Sequence, residues 1–69
     1  MNFNIECERE ADDRWLAEVS ELPGVLAYGS SAEEAMAKVE VLALRVLAER
    51  LEHRETRALN ISISIPHAA

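Results

Sequence analysis

A long stretch without proline or glycine, from Ser31 to about His53, constrains this chain more than any other feature. Ser31 and Glu34 have the spacing of a capping box, in which the serine oxygen accepts from the Glu34 amide and the glutamate reaches back. Glu33 and Glu34 also place negative charge at the positive end of a helix dipole. The stretch therefore predicts a single helix of about 23 residues, which spans about 35 Å at 1.5 Å per residue.

The predicted helix is apolar on two separate faces when its residues are spaced about 100° apart. The broader face, which should cover a sheet, consists of Ala35, Met36, Val39, Leu42, Ala43, Val46 and Leu47. The second face repeats with the spacing 4-3-4-3 and consists of Ala37, Val41, Leu44, Ala48 and Leu51. Either this second face meets the helix of another subunit in a coiled-coil-like seam, or the fold curls enough to hide it. Because a large exposed apolar patch favours association, we expect a homo-oligomer, dimer or larger.

Alternating apolar and polar residues predict two strands before the helix. In the first, Phe3, Ile5 and Cys7 alternate with Asn4, Glu6 and Glu8. The turn-like residues 11–14 follow, and the second strand over residues 15–20 places Trp15, Ala17 and Val19 on one side. Such alternation is typical of strands with one buried and one solvated face. The two strands are expected to form a hairpin.

Two further strands are predicted, one on each side of the helix. Pro23 and Gly24 form a turn signal, and Val25 to Tyr28 follow as a third short strand, which completes a meander. After the helix, the fourth strand has Leu59, Ile61, Ile63 and Ile65 facing inward. Pro66 ends it.

These elements predict an α+β fold in the order β-β-β-α-β, a small mixed four-stranded sheet with one long helix packed on one face. Residues 1–69 form a single domain, since a chain this short holds one core at most. Hydrophobic residues make up 49% of the chain and aromatic residues only 4%, so the core must consist of Leu, Val, Ile and Ala.

Charge restricts the class of partner. Thirteen acidic residues against seven basic ones give a net charge of -6, which repels phosphate backbones and anionic membranes and suits a basic partner. We expect no direct nucleic-acid binding by this chain alone. No apolar run approaches the ~20 residues of a membrane span, and the N-terminus lacks signal-peptide features. The lone Cys7 cannot form an internal disulfide, which agrees with a reducing compartment. Together these features lead us to expect a cytoplasmic protein.

Residues that resemble catalytic or metal sites have simpler interpretations. Gly29, Ser30 and Ser31 lack the G-x-S-x-G pattern of a nucleophile and are expected to cap the helix. Asp12 and Asp13, near Glu8 and Glu10, are expected to form a solvated turn rather than a metal cluster. His53 and His67 lack the spacing of a zinc site, and Cys7 is expected in the core. We expect no catalytic, cofactor-binding or metal-binding residue, and no enzyme.

Four short motifs point to a known family. They are W-L-A-E-V at Trp15 to Val19, E-L-P-G-V at Glu21 to Val25, Y-G at Tyr28-Gly29 and S-x-E-E-A at Ser31 to Ala35. In this order and spacing the chain resembles the HicB family of antitoxins, which have a partial ribonuclease H-like fold. The resemblance implies a sheet whose first strand lies between the second strand and a parallel fourth strand. It also implies a partner: a HicA-like toxin, a small basic ribonuclease that the antitoxin holds inactive.

The chain departs from the family at Ser20, Glu21 and Ser31, where members commonly carry Pro, Asp and Thr. Many members continue into a C-terminal DNA-binding domain, which these 69 residues do not contain. We therefore expect no promoter binding by these residues.

The charge and the resemblance together predict a protein-binding inhibitor. The candidate contacts with a basic partner are the acids on the solvated face of the sheet and at the turn, namely Glu6, Glu8, Glu18 and Glu21. The alternative is a stand-alone oligomeric scaffold or small-ligand-binding domain without a toxin partner.

Overall fold

The computed structural model describes residues 2–53 and 62–66. In chain order the elements are β1 (Asn2–Arg9), β2 (Trp15–Val19), β3 (Leu26–Gly29), α1 (Ala32–Glu52) and β4 (Ser62–Ser64). The predicted α+β fold with the order β-β-β-α-β is confirmed.

The four strands form one mixed sheet in the order β3-β2-β1-β4. β1 pairs with β2 and β2 pairs with β3 in antiparallel fashion, which is the predicted meander. β4 pairs in parallel with the other side of β1. The first strand therefore lies between the second and a parallel fourth strand, as expected.

The core lies between α1 and one face of the sheet. Cross-strand pairing places Ile5 opposite Val19 and Cys7 opposite Ala17, so the inward residues of β1 and β2 share one face. The buried core residues are Phe3, Ile5, Ala17, Val19, Leu22, Val25, Ala35, Met36, Val39, Ala43 and Leu47. Trp15 and Cys7 are half-buried against this cluster. The predicted inward alternation in β1 and β2 is confirmed.

A tight turn separates β2 from β3. The Val25 amide donates to the Leu22 carbonyl over 3.1 Å, and Gly24 has a φ of +84°, which suits glycine at the third position of such a turn. Because Val25 closes this turn, β3 begins at Leu26. The sequence prediction placed the start of this strand one residue too early.

Helix α1 begins and ends almost where the sequence predicts. Ser31 is its N-cap, and the Ser31 hydroxyl oxygen accepts from the Glu34 amide over 3.1 Å. The Glu34 carboxylate reaches back past the cap to Ser30, whose amide and hydroxyl donate over 3.3 and 3.0 Å. At the other end, the C-cap is His53.

The sequence prediction is wrong for two residues that were expected to face inward. Leu42 is 37% exposed. It lies one turn beyond Lys38, whose ammonium reaches the Tyr28 carbonyl of the edge strand β3. Within residues 2–53 and 62–66, no strand lies beyond β3 to cover this side of the helix. Ile65 is 50% exposed because β4 ends at Ser64.

Of the other predicted inward residues of the fourth strand, Ile63 packs against the core as expected. Leu59 and Ile61 lie outside the described residues.

Candidate functional site

The face of the sheet opposite α1 is open, and its side chains form two rows across three strands. In one row Glu6 lies opposite Glu18, which lies opposite Leu26; in the other, Glu8 lies opposite Leu16, which lies opposite Tyr28. Residues directly opposite in a sheet share a face and have neighbouring Cβ atoms. We call this surface the open face; it consists of Glu6, Glu8, Leu16, Glu18, Leu26 and Tyr28.

The acidic part of the open face contains the carboxylates that the sequence singles out. Glu6 and Glu8 are exposed and Glu18 is half-buried. Glu21 lies beside them, since its carboxylate accepts from the Asn4 side-chain amide over 3.5 Å. The structure therefore brings all four predicted contact residues to one side of the sheet.

Within the described part of the chain, these carboxylates have polar neighbours but no cationic partner. The Ser20 hydroxyl donates to Glu6 over 3.3 Å. The ion pairs within residues 2–53 and 62–66 are Arg9–Asp13, Arg14–Asp12 and Lys38–Glu34. The negative charge of the open face is therefore not neutralised by the described part of the chain.

The apolar part of the open face lies on the edge strand β3. Leu26 is 43% exposed and Tyr28 is 40% exposed. The Arg14 guanidinium lies 4.3 Å from the centre of the Tyr28 ring, a cation–π contact at the margin of the face. Sequence reasoning missed Leu26 and Tyr28 as contact candidates. The signal was available, because alternation about the inward Ala27 places both on the outer side.

A shallow hollow of about 110 Å³ lies at the acidic part, lined by Glu6, Cys7, Glu8, Leu16 and Glu18. Small-ligand sites usually enclose about 300–1,000 Å³. No group of three or more His, Cys, Asp or Glu side chains in the described ranges has the geometry to hold a metal ion. The hollow is thus smaller than a typical small-ligand site.

The Gly29-Ser30-Ser31 segment is structural. Both serines bond to Glu34, as described above, and fix the start of α1. The pKa of Glu34 is lowered, first by the hydrogen bond from the Lys38 side chain and then by the bonds from Ser30. A Cβ atom at Gly29 would lie 2.6 Å from the Ala35 amide nitrogen. Ser31 thus caps the helix, as the sequence predicts, and Gly29 brings β3 close to the first turn of α1.

The Asp12-Asp13 pair forms the β1–β2 turn. Asp13 has a left-handed backbone, with a φ of 68°, and its carboxylate accepts from Arg9 over 2.9 Å. Asp12 accepts from the amide and the guanidinium of Arg14, and these bonds, that of the amide first, lower the pKa of Asp12. Both acids have the turn-forming role expected from the sequence.

A second apolar surface lies between α1 and β4. Its groove of about 450 Å³ is lined by Glu40, Leu44, Leu47, Ala48, Leu51 and Ile63. Three of these belong to the second apolar face of the helix, whose five residues are all exposed. Among the described residues that line the groove, Glu40 is the only charged one.

Comparisons with protein-family models, with curated proteins and with solved structures give no match to this chain. Within residues 2–53 and 62–66, no helix has the combined length and apolarity required to cross a bilayer.

Proposed function

We propose that this chain is an antitoxin-like protein that binds and neutralises a small basic HicA-type toxin that cleaves mRNA. It does so by covering the active or RNA-binding surface of the toxin with its open face. The observation that carries the proposal is the cluster of carboxylates on that face, which have no ion-pair partner among the described residues. The position of β1 between β2 and a parallel β4 agrees with the sheet that the HicB resemblance implies.

The pairing of Glu6 with Glu18 supports a cationic partner. Like charges directly opposite each other destabilise a sheet. An Arg or Lys side chain of a partner, placed between the two carboxylates, relieves that repulsion and forms charge-assisted hydrogen bonds. The free energy that the sheet loses in isolation is regained in the complex.

The open face also combines the two kinds of contact that a protein inhibitor needs. Its carboxylates accelerate the encounter with a basic protein, and Leu26 and Tyr28 provide apolar surface that lengthens the lifetime of the complex. Aromatic residues are enriched in interfaces, whereas charged residues at the margin set the salt dependence. Occlusion of a toxin requires no catalytic group on this chain.

The experiment begins with the reading frames adjacent to the gene. We expect one of them to encode a short basic protein whose expression alone arrests growth and whose coexpression with this chain restores it. The two proteins should copurify. A neighbouring basic protein that is harmless, or that does not copurify, would contradict the antitoxin function.

A matched pair of charge reversals then tests the contact surface. Glu6→Lys with Glu8→Lys should slow association at low salt by about tenfold and weaken its salt dependence. Glu49→Lys with Glu52→Lys changes the net charge equally on the far side of the helix and should leave association near the wild-type rate. Equal effects of the two double variants would show that the open face does not contact the toxin.

The alternative function is a stand-alone oligomeric scaffold or a small-ligand-binding domain. The groove between α1 and β4 favours it, because about 450 Å³ lies within the range of ligand sites. The absence of any adjacent basic protein would support this alternative, as would the failure of every adjacent product to arrest growth.

A further inference from the structure

The second apolar face of helix α1, which we call the stripe, lies on the side away from the sheet. The stripe consists of Ala37, Val41, Leu44, Ala48 and Leu51, all exposed. Val41 is 47% exposed and Leu44 is 53% exposed, although both have large apolar side chains. The 4-3-4-3 spacing averages 3.5 residues, which is the repeat of the seam between two supercoiled helices. The stripe therefore has the residue spacing of a surface that packs against another helix.

The two sides of the stripe carry different charges. On a helix with about 100° between residues, Glu33 and Glu40 lie on one side, and Lys38, Arg45 and Glu52 lie on the other. Lys38 already pairs with Glu34 of its own chain over 3.1 Å, whereas neither Glu40 nor Arg45 is part of an ion pair in residues 2–53 and 62–66. Flanking charges of this kind determine which helices pair and in which orientation.

The signs select a parallel pair of identical helices. In parallel register, the acidic side of one helix meets the basic side of the other with an offset of five residues, so Glu33 faces Lys38 of the second copy. Glu40 then faces Arg45 of the second copy. In an antiparallel pair centred on Leu44, the Arg45 positions of the two copies lie about 3 Å apart along the helix axis, so like charges meet there. Charge complementarity therefore identifies the occupant as a second copy of this chain.

Four residues that line the groove beside the stripe have the spacing of a coiled-coil hole. Leu44, Leu47, Ala48 and Leu51 stand at i, i+3, i+4 and i+7, and four residues at this spacing surround one inserted side chain. In parallel register, the side chain at this level is Ala48 of the second copy. A small side chain there lets the two helix backbones approach closely.

We propose that α1 pairs in parallel and in register with α1 of a second copy, so that the chain is a homodimer. The stripe forms the seam, and a Glu40–Arg45 ion pair between the copies flanks it on each side. Since α1 covers the opposite face of the sheet, both open faces point away from the seam. The dimer presents two separate open faces, and its formation does not depend on the proposed function.

Sedimentation equilibrium of the whole chain, over a roughly hundredfold range of concentration, tests the seam. We expect a reversible dimer. Leu44→Glu should raise the dimer dissociation constant at least about tenfold, because it places a charge in the seam. Leu42→Glu is the matched control: Leu42 is 37% exposed on the side away from the stripe, so association should not change. A wild-type monomer at every concentration, or equal effects of the two variants, would overturn the proposal.

Charge reversal tests the orientation. Glu40→Lys should weaken the parallel dimer about three- to tenfold, since the introduced ammonium then faces Arg45 of the second copy. Adding Arg45→Glu restores the pair with its signs exchanged and should recover most of the affinity. In an antiparallel dimer centred on Leu44, the two Glu40 positions lie about 12 Å apart along the helix axis and neither faces Arg45 of the other copy. An affinity that Glu40→Lys leaves unchanged would therefore refute the parallel arrangement.

Disulfide trapping provides a test that does not depend on affinity. In a Cys7→Ser background, Ala37→Cys should form a covalent dimer in a glutathione buffer, because identical positions meet in parallel register. In an antiparallel pair centred on Leu44, the two introduced thiols would lie about 20 Å apart. Failure of the Ala37→Cys chain to cross-link to itself, or its preferential cross-linking to a Leu51→Cys chain, would overturn the parallel register.

Discussion

Gly29 and Ala35 are in backbone contact, at the point where the edge strand β3 passes under the first turn of α1. A Cβ atom at Gly29 would lie 2.6 Å from the Ala35 amide nitrogen and 3.1 Å from its Cα atom. The obstacle is backbone rather than a mobile side chain, and Gly29 is itself buried. Glycine therefore sets the distance between strand and helix here.

Gly29→Ala should destabilise the fold by about 2–3 kcal/mol, because α1 must move to admit a methyl group. Urea unfolding followed by circular dichroism measures the change. Gly24→Ala is the comparison: it meets nothing within 4 Å and suffers only from its positive φ, so about 1 kcal/mol is expected. A Gly29→Ala protein as stable as wild type would show that the strand and helix are farther apart than described.

Ser31→Ala should lower the free energy of unfolding by about 1 kcal/mol, because the Glu34 amide loses its acceptor at the helix start. Ser31→Asp retains an acceptor and should remain near wild type. Ser30→Ala removes the hydroxyl bond to Glu34 and leaves the Ser30 amide bond, so its effect should be smaller than that of Ser31→Ala. Equal losses for Ser31→Ala and Ser31→Asp would contradict the capping role.

Glu34 should make the start of α1 sensitive to acid. The Lys38 side chain, and then Ser30, lower the pKa of Glu34 below its ordinary value of 4.5. A carboxylate with a lowered pKa in the folded state stabilises the fold above its unfolded pKa, and this contribution is lost as the pH falls through the folded value. The stability difference between wild type and Glu34→Gln should therefore be constant near neutral pH and shrink below about pH 4.5.

Denaturant unfolding across this pH range provides the measurement. In a Lys38→Met background the effect of Glu34→Gln should be smaller, because the largest cause of the lowered pKa has been removed. A difference that grows on acidification would have the wrong sign for a carboxylate stabilised in the folded state.

Much of the fold follows from local signals in the sequence. The capping box at Ser31 sets the start of α1, and the absence of Pro and Gly allows the helix to continue to Glu52. The inward positions of Phe3 and Ile5 follow from alternation, which depends only on the strand period. The carboxylates of the open face were found in the same way.

The remaining features depend on distant parts of the chain. Leu42 stands at the margin of the core-facing arc, and its exposure depends on β3 being the edge strand. Alternation about Ala27 predicts that Tyr28 points outward, but its position beside Leu16 depends on the pairing of β2 with β3. Residue spacing does not encode which strands lie side by side.

The Cys7 thiol should react slowly with alkylating reagents in the folded protein. It is half-buried against the core, and desolvation raises its pKa above the ordinary 9.0. Because the thiolate is the reactive form, alkylation by iodoacetamide should be slow at pH 8 and accelerate only above pH 9. The same thiol in urea-unfolded protein is the control, and it should react faster at pH 8. Equal rates for the folded and unfolded chains would mean that Cys7 is not packed against the core.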